Sequence, residues 1–361
     1  MTEKKKNFLL LLTSIVLSLL LIEIICSVIF SSKVNKINFT KEPGYFFFEQ
    51  GDVFINADKT FKYHSNKNIL TKSYVFLDND FKEAYSYEIE TNNFGLAQKN
   101  DLKKNIPSIL FLGDSFTEGQ GETPWINKFD GKFKDYQVIG GGILATGPQQ
   151  FSYMEEHVSK NYNIQKVFLL YIGHDVRRSP FIISNQQINC LKDYNTCKGN
   201  EMFFGFPLKS ENPNNFLNDL REQRIKIYNN LSLKKKVKKK IKGFFSDLYI
   251  FKIPLSFLKE KFYKSNNVKI RKNFAAIKKL NDKYGDNIYF VNLRTWHETL
   301  NRKEYETNLT EKFIKKISNN HYVCDFEKNL EFFSPLHFHP NKKGYNYLFK
   351  CISQIMESEI K

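Results

Sequence analysis

Residues with the potential for chemistry lie where an apolar run of this chain ends. The run ILFLG ends in the tripeptide Gly113-Asp114-Ser115 and passes at once into polar sequence that carries further glycines. One interpretation is an ordinary strand followed by an ordinary loop. The other is a serine presented at the end of a sheet to attack a substrate. A serine hydroxyl is a weak nucleophile until a base accepts its proton, so the second interpretation requires a base from elsewhere in the chain.

Two further groups of residues also end apolar runs, and a fourth group precedes the last helical pattern. A second apolar run ends in the glycines at 140–142, and a third ends in the segment GHD at 173–175. His337 and His339 lie in the segment HFHPNKKGY, before the last helical pattern. Ligands of open parallel sheets bind beyond the carboxyl ends of the strands. Each group alone is a weak signal, whereas their order along the chain favours one site built from all of them.

The elements that would position these residues alternate between strands and helices. Five apolar runs bounded by turn residues predict buried strands, at residues 107–113, 136–142, 165–173, 287–293 and 321–326. Helical patterns occupy residues 151–162, 268–285, 309–320 and 342–358. Strands that alternate with helices predict a parallel sheet covered by helices on both faces. The preceding region 31–100, rich in Phe, Tyr and Asn, predicts an irregular lead-in.

The N-terminus carries an apolar segment at residues 8–30 that only Glu23 interrupts. About 20 apolar residues suffice for a helix to cross the hydrocarbon core of a membrane. Lysines at 4–6 precede the segment and favour a cytoplasmic N-terminus. A cleaved signal peptide is the alternative, but its apolar region is usually shorter and ends in small residues. We therefore expect one transmembrane helix, with the rest of the chain outside the cytoplasm.

The composition is that of a folded, strongly basic protein. Hydrophobic residues make up 41% of 361 residues, and the formal net charge is +17. This charge suits an acidic partner such as anionic lipid or acidic polysaccharide. No nucleic-acid module is recognisable in the sequence, so nucleic acid is not an expected partner. Seven lysines at 234–242 lie within a segment, about 180–265, that breaks the strand–helix alternation. They predict either a basic amphipathic helix that contacts the bilayer or a solvated helix face.

The cysteines do not decide whether the protein lies in an oxidising or a reducing compartment. Cys190 and Cys197 flank a short polar loop, where they either form a disulfide or remain two free thiols. Cys324 and Cys351 lie in apolar segments, where buried thiols are expected. Cys26 lies in the predicted membrane segment.

From about residue 91 to 358 the sequence resembles the SGNH (GDSL) hydrolases. The tripeptide Gly113-Asp114-Ser115 and the following FTEG match the first block of that family, and TNNFG at 91–95 resembles a lead-in of anchored bacterial members. The resemblance implies an α/β fold, a three-layer α/β/α sandwich with a parallel, flavodoxin-like sheet. It divides the chain into a cytoplasmic tip and anchor (1–30), a lead-in region (31–100) and an SGNH-like domain (101–361) with a basic insertion at about 180–265.

The later blocks depart from the family pattern. In the second block Gly140 replaces the usual Asn, Gly142 fits the first glycine, and Ala145 replaces the glycine of the oxyanion hole. In the third block His174 replaces an Asn. The fifth block lacks its Asp, because Leu336 precedes the two histidines. An alanine keeps the backbone N–H of a glycine, and a neutral histidine still donates one N–H.

The resemblance assigns roles to these positions. Ser115 would be the nucleophile and His339 the base, with oxyanion donors from the set Ser115, Gly142, Ala145 and His174. A triad carboxylate holds the histidine tautomer and stabilises its charged form, and its loss costs about 10⁴-fold in turnover in serine proteases. The candidates to support His339 are Asp114, Asp325, Glu331 and His337, the last without a negative charge.

The implied activity is hydrolysis or transfer of acyl esters, including O-acetyl, on envelope carbohydrate. Acylated glycan or another small ester would be the substrate, and no metal or organic cofactor is expected; His337 and His339 without a third ligand do not predict a metal site. A second hypothesis is a non-catalytic protein of this fold that binds glycan or supports an envelope assembly, which the missing acid favours. A third is a lipid esterase that lies on the bilayer through residues 234–242.

Overall fold

The computed structural model describes residues 3–30, 45–77, 80–197, 205–207, 217–219, 221–222, 226, 232, 267–300, 305–326 and 329–360. Two compact units are present: residues 1–36 with 224–267, and residues 37–223 with 268–361. The lysine-rich segment 234–242, predicted to be a basic helix, lies outside the described residues.

In the first unit, a helix extends over Glu3–Phe30. Within it, Lys5–Ile25 is long and apolar enough to cross a membrane, by length and composition. This agrees with the apolar segment predicted at 8–30.

The second unit begins with five strands where an irregular lead-in was predicted, so that prediction is wrong for the residues described. The strands are β1 (Tyr45–Phe48), β2 (Phe54–Ala57), β3 (Thr60–Tyr63), β4 (Asn68–Leu77) and β5 (Asp80–Glu90). Aromatic residues favour strands, and much of β5 alternates between exposed and buried positions, as a half-buried strand requires. The charged residues on its exposed face concealed this pattern in the sequence.

The central sheet contains the five strands that the apolar runs predict. They are β6 (Ser108–Gly113), β7 (Gln137–Gly142), β8 (Ile164–Tyr171), β10 (Ile288–Leu293) and β11 (His321–Cys324). Their order is β11-β10-β8-β6-β7, and every pairing is parallel. Numbered only among themselves, they have the order 2-1-3-4-5 of flavodoxin-like sheets. The predicted α/β fold class is confirmed.

The remaining short strand, β9 (Phe206–Pro207), comes from the predicted insertion. It joins a separate sheet of order β5-β4-β1-β9. Part of the insertion therefore packs on the lead-in strands.

Helices cover both faces of the central sheet. Neighbouring residues of a strand point to opposite faces, so adjacent residues of β6 pack against different helices. On one face, Leu110 and Leu112 of β6 join a core with Phe151 and Ile277, which belong to the helices Pro148–Ser159 and Val268–Tyr284. On the other face, Phe111 stacks on Phe129 at 5.3 Å. Further α-helices are Ser115–Glu118, Asn185–Lys192, Trp296–Leu300, Tyr305–Ile317 and Lys342–Glu359, and short 3-10 helices include Trp125–Phe129 and Gly173–Arg177.

Two disulfides are formed. Cys190 and Cys197 are joined, which decides between the two alternatives left open by the sequence. Cys324 and Cys351 are also joined, so the prediction of two buried free thiols is wrong. Cys324 ends β11 and Cys351 lies in the helix Lys342–Glu359. Their proximity follows from the packing of that helix beside the edge strand, which local sequence does not reveal.

Candidate active site

Ser115 lies where β6 passes into a one-turn helix. Asp114 caps this helix, since its Oδ1 accepts a hydrogen bond of 2.9 Å from the backbone N–H of Phe116. Gly119 ends the helix in the left-handed conformation, with φ of 97°. A side chain at Gly113 would collide with the helix, because a Cβ there would lie 1.9 Å from Thr117 Oγ1. The Gly-Asp-Ser sequence is thus the local requirement for a sharp strand-to-helix turn that starts with the serine.

The imidazole of His339 lies against this serine. His339 Nε2 and Ser115 Oγ are 2.9 Å apart, and His339 Nδ1 lies 2.8 Å from the backbone carbonyl oxygen of His337. A carbonyl oxygen only accepts hydrogen bonds, so Nδ1 carries the proton and donates it. Nε2 is then an acceptor, and the serine hydroxyl donates to it. Burial lowers the pKa of His339, which favours the neutral form that a general base requires.

An unusual backbone turn brings the His337 carbonyl under the ring. Phe338, between the two histidines, has a φ of 63°, which is uncommon for a residue other than glycine. The N–H of Phe338 donates to the carbonyl oxygen of Ser334 at 3.1 Å. The N–H of Ser334 in turn donates to the carbonyl oxygen of His339 at 2.9 Å. These two bonds hold the turn in a conformation that costs roughly 1–3 kcal/mol by itself.

Of the predicted supports of His339, His337 contacts its ring: the backbone carbonyl accepts from Nδ1, and the two imidazole rings stack with 5.6 Å between centroids. The His337 ring is largely buried and packs edge-on against Tyr85, with 4.2 Å between ring centroids. Burial lowers the pKa of His337 to about 2. Asp114 instead pairs with Arg178 at 2.9 Å. Asp325 and Glu331 are exposed, and the backbone carbonyl of Asp325 accepts from the Tyr347 hydroxyl.

The predicted oxyanion donors divide into two groups. Ser115, Ala145 and His174 line one cavity. Ala145 has a φ of 61°, so it adopts the left-handed conformation that suits the glycine of the family pattern. Gly142 packs against the short helix instead, where a Cβ would lie 2.6 Å from the Glu118 nitrogen. Its role is therefore close packing beneath the serine turn.

Arg178 is a site residue that the sequence did not indicate. Its Nη1 donates to Asp114 Oδ2 at 2.9 Å and to the Thr146 carbonyl oxygen at 2.8 Å. Its Nη2 lies 3.1 Å from His174 Nε2. The only available signal was an arginine four positions after the histidine of the third block, beside Arg177, which pairs with Glu306 at 3.3 Å.

Glu118 is a second unpredicted residue, buried beneath the serine turn. Tyr63 of β3 donates a hydrogen bond from its hydroxyl to Glu118 Oε1. Burial raises the pKa of Glu118 to about 8, so the carboxyl is largely protonated at neutral pH. The lead-in strands thereby contact the helix that carries the nucleophile.

The cavity over these residues has a volume of about 400 Å³. Its apolar walls comprise Phe46, Phe116, Leu144, Ile172, Trp296 and Phe338. The Phe338 ring stacks on that of Trp296, with 5.3 Å between centroids and 13° between planes. A mostly apolar cavity with a few convergent polar groups is typical of sites for small ligands. In the part of the chain that the structure describes, no group of three or more His, Cys, Asp or Glu side chains is arranged to hold a metal ion.

Comparison with known proteins gives likenesses in three-dimensional structure alone. No family model and no curated protein matches the sequence. A lipase/acylhydrolase from Enterococcus faecalis is 10% identical over 70% of this chain and 96% of that chain, with a TM-score of 0.37. A member of the lipolytic protein G-D-S-L family from Veillonella parvula DSM 2008 is 10% identical over 70% of this chain and 98% of that chain, with a TM-score of 0.33.

A third structure is that of a carbohydrate esterase whose active site is described as displaying divergent catalytic and non-catalytic binding functions. It is 10% identical over 89% of this chain and 98% of that chain, with a TM-score of 0.29. At such identities and TM-scores, these likenesses do not by themselves define an activity for this chain.

Proposed function

We propose that this protein is a membrane-anchored serine esterase or acyltransferase of the SGNH type, with Ser115 as nucleophile and His339 as general base. The observation that carries the proposal is the 2.9 Å hydrogen bond between Ser115 Oγ and His339 Nε2, residues 224 positions apart. A hydroxyl that donates to a neutral imidazole inside a cavity has the arrangement that activates a serine.

In the proposed reaction, Ser115 Oγ attacks the carbonyl carbon of an acyl ester while its proton moves to His339 Nε2. The backbone N–H groups of Ser115 and Ala145, together with His174, stabilise the negative oxygen of the tetrahedral intermediate. The C–O bond to the leaving alcohol then breaks, and His339 returns the proton to that alcohol. Water or a sugar hydroxyl resolves the acyl-serine by the same sequence in reverse.

The His337 carbonyl performs one of the two functions of a triad carboxylate, which are to orient the histidine and to stabilise its charged form. It fixes the tautomer and orientation of His339, because it accepts the Nδ1 proton at 2.8 Å. It carries no full negative charge, so it stabilises the imidazolium less than a carboxylate does. We therefore expect turnover to be slower than that of a complete triad.

Substrate and location follow from features outside the dyad. The apolar walls support an acyl group as the bound moiety, and the net charge of +17 supports an acidic polymer such as envelope carbohydrate as its carrier. Disulfides persist in oxidising compartments, so the pairs Cys190–Cys197 and Cys324–Cys351 support a location outside the cytoplasm. The N-terminal helix and the lysines at 4–6 support a single-pass anchor with a cytoplasmic N-terminus.

The second candidate function is glycan binding without catalysis. It is favoured because a backbone carbonyl, and not a carboxylate, accepts the hydrogen bond from His339 Nδ1. The two candidates differ in whether Ser115 reacts. Full-length protein in detergent would be treated with a fluorophosphonate and assayed on a generic acetyl ester, beside Ser115→Ala. Labelling and turnover that disappear in Ser115→Ala support the enzyme. Equal turnover in both proteins would leave only the binding role.

A further inference from the structure

His174 raises a question that the asparagine of the family pattern does not. The amide of an asparagine always offers an N–H, whereas a neutral imidazole has one nitrogen that donates and one that accepts. Which nitrogen holds the proton is set by the hydrogen bond that the other one makes. The value of His174 as a donor to an oxyanion therefore depends on its tautomer.

Arg178 determines that tautomer. Its Nη2 lies 3.1 Å from His174 Nε2, and a guanidinium group donates but never accepts. The contact is a hydrogen bond only if Nε2 offers its lone pair. The proton of neutral His174 is then on Nδ1.

The neutral state is secured by the surroundings. Burial lowers the pKa of His174 to about 3, and the positive charge of Arg178 acts in the same direction. The imidazole is therefore neutral throughout the range in which an esterase operates, and the choice of tautomer is the one that matters.

The guanidinium is itself held in place from other directions. The two N–H groups of Nη1 are used by Asp114 Oδ2 at 2.9 Å and the Thr146 carbonyl oxygen at 2.8 Å. Asp175 Oδ1 lies 2.8 Å from the same nitrogen and adds an ion pair. The Arg178 side chain is only 22% exposed, so the donor that faces His174 has little freedom to turn away.

We propose that Arg178 is a positioning residue that holds His174 as the Nδ1–H tautomer, so that a histidine supplies the N–H donor which an asparagine supplies in the family pattern. The catalytic part of this inference rests on the proposed function, whereas the tautomer itself does not. Arg178 acts through His174 and need not touch the substrate.

The tautomer is tested by long-range ¹H–¹⁵N correlation spectra of full-length protein in detergent, labelled with ¹⁵N-histidine. The spectrum of His174→Asn identifies the His174 signals. The expected result is an Nδ1–H pattern in the wild type and a change toward Nε2–H in Arg178→Gln. An Nε2–H pattern in the wild type overturns the inference without any need for the variant to fold. The same tautomer in wild type and folded Arg178→Gln also overturns it.

The catalytic part is tested by a double-mutant cycle on kcat for an acetyl ester. Removal of one oxyanion donor costs about 10²–10³-fold in kcat. Arg178→Gln should therefore lower kcat about 100-fold when residue 174 is histidine, and less than about 10-fold in the His174→Asn background, where the amide donor needs no arginine. Equal losses in the two backgrounds would assign Arg178 to bracing Asp114 and Thr146 alone. A wild type without turnover would reject the proposed function, and the tautomer would still be decided by the spectra.

Discussion

His339 Nδ1 donates a hydrogen bond to the backbone carbonyl oxygen of His337, 2.8 Å away, at the position where a catalytic triad has its carboxylate. The bond orients the ring so that Nε2 faces Ser115 at 2.9 Å. It depends on the left-handed backbone of Phe338, with φ of 63°. The base is therefore oriented by the backbone, and the identity of the side chain at 337 matters less than the shape of the turn.

The first prediction compares the contributions of the His339 and His337 side chains to catalysis. His339→Gln should lower kcat/KM by at least about 10³-fold, because the serine loses its proton acceptor. His337→Asn keeps the backbone carbonyl and should cost less than about 10-fold. Both values come from initial rates on a generic acetyl ester. A loss as large for His337→Asn as for His339→Gln, with both proteins folded, would contradict orientation by the carbonyl.

The second prediction concerns the pH dependence of the rate. Burial lowers the pKa of His339, and a base works only when unprotonated. The rate should therefore stay constant as the pH falls to about 6.5, the ordinary histidine pKa, and decline only below that value. The measurement is kcat/KM from pH 5 to 8 in buffers of constant ionic strength. An inflection at or above pH 6.5 would argue against the lowered pKa.

The third prediction concerns Ala145. Its φ of 61° costs an alanine about 1–2 kcal/mol relative to its preferred conformations, and glycine avoids this strain. Ala145→Gly should keep the backbone donor, retain kcat/KM within about 3-fold and raise the free energy of unfolding by about 1 kcal/mol. Ala145→Val, the matched control, should lower stability, because a β-branched residue tolerates positive φ poorly. Urea titrations measure both changes, and the opposite ranking would contradict the strain.

The fourth prediction uses the buried carboxyl of Glu118. Burial raises its pKa from 4.5 to about 8, so between these values the folded protein holds a proton that the unfolded chain has released. Stability should therefore fall as the pH rises through this window, by about 1.4 kcal/mol per pH unit for one proton. Glu118→Gln removes this contribution, so its stability relative to the wild type should increase from pH 5 to 8.

The test for Glu118 is a series of urea titrations at pH 5.5, 6.5 and 7.5. Glu88→Gln, on the exposed face of β5, is the control for removal of one surface carboxylate. A constant difference between wild type and Glu118→Gln across the three pH values would show that Glu118 does not titrate in this window.

The sequence predicts the central sheet well because its signals are local. Each of its strands is a short apolar run bounded by turn residues, and the Gly-Asp-Ser turn requires only neighbours such as Thr117. Among the strands that escaped prediction, β1 is only four residues long, and in β4 and β5 polar residues lie between the apolar ones. One partner of β1 is β9, from a distant part of the chain, and the alternation in β5 is visible only once one face is known to be buried.

The site could be predicted only as far as its motif extends. Ser115 and His339 were paired through resemblance to a family, since no local pattern joins residues 224 positions apart. Arg178 had no motif, because its three acceptors come from separate segments of the chain. The role of the His337 carbonyl could not be predicted either, because every residue has a backbone carbonyl. Its orientation toward His339 depends on the left-handed conformation of Phe338.

The disulfide Cys324–Cys351, with its partners 27 positions apart, closes a ring of chain that contains both histidines of the turn. By restricting the unfolded chain, a ring of this size contributes about 3.5 kcal/mol to stability in the loop-entropy model. Thiol reductants would thus lower the free energy of unfolding by about this amount. On the proposed function, the domain would therefore reach its full stability only after export to an oxidising compartment, where this disulfide forms and persists.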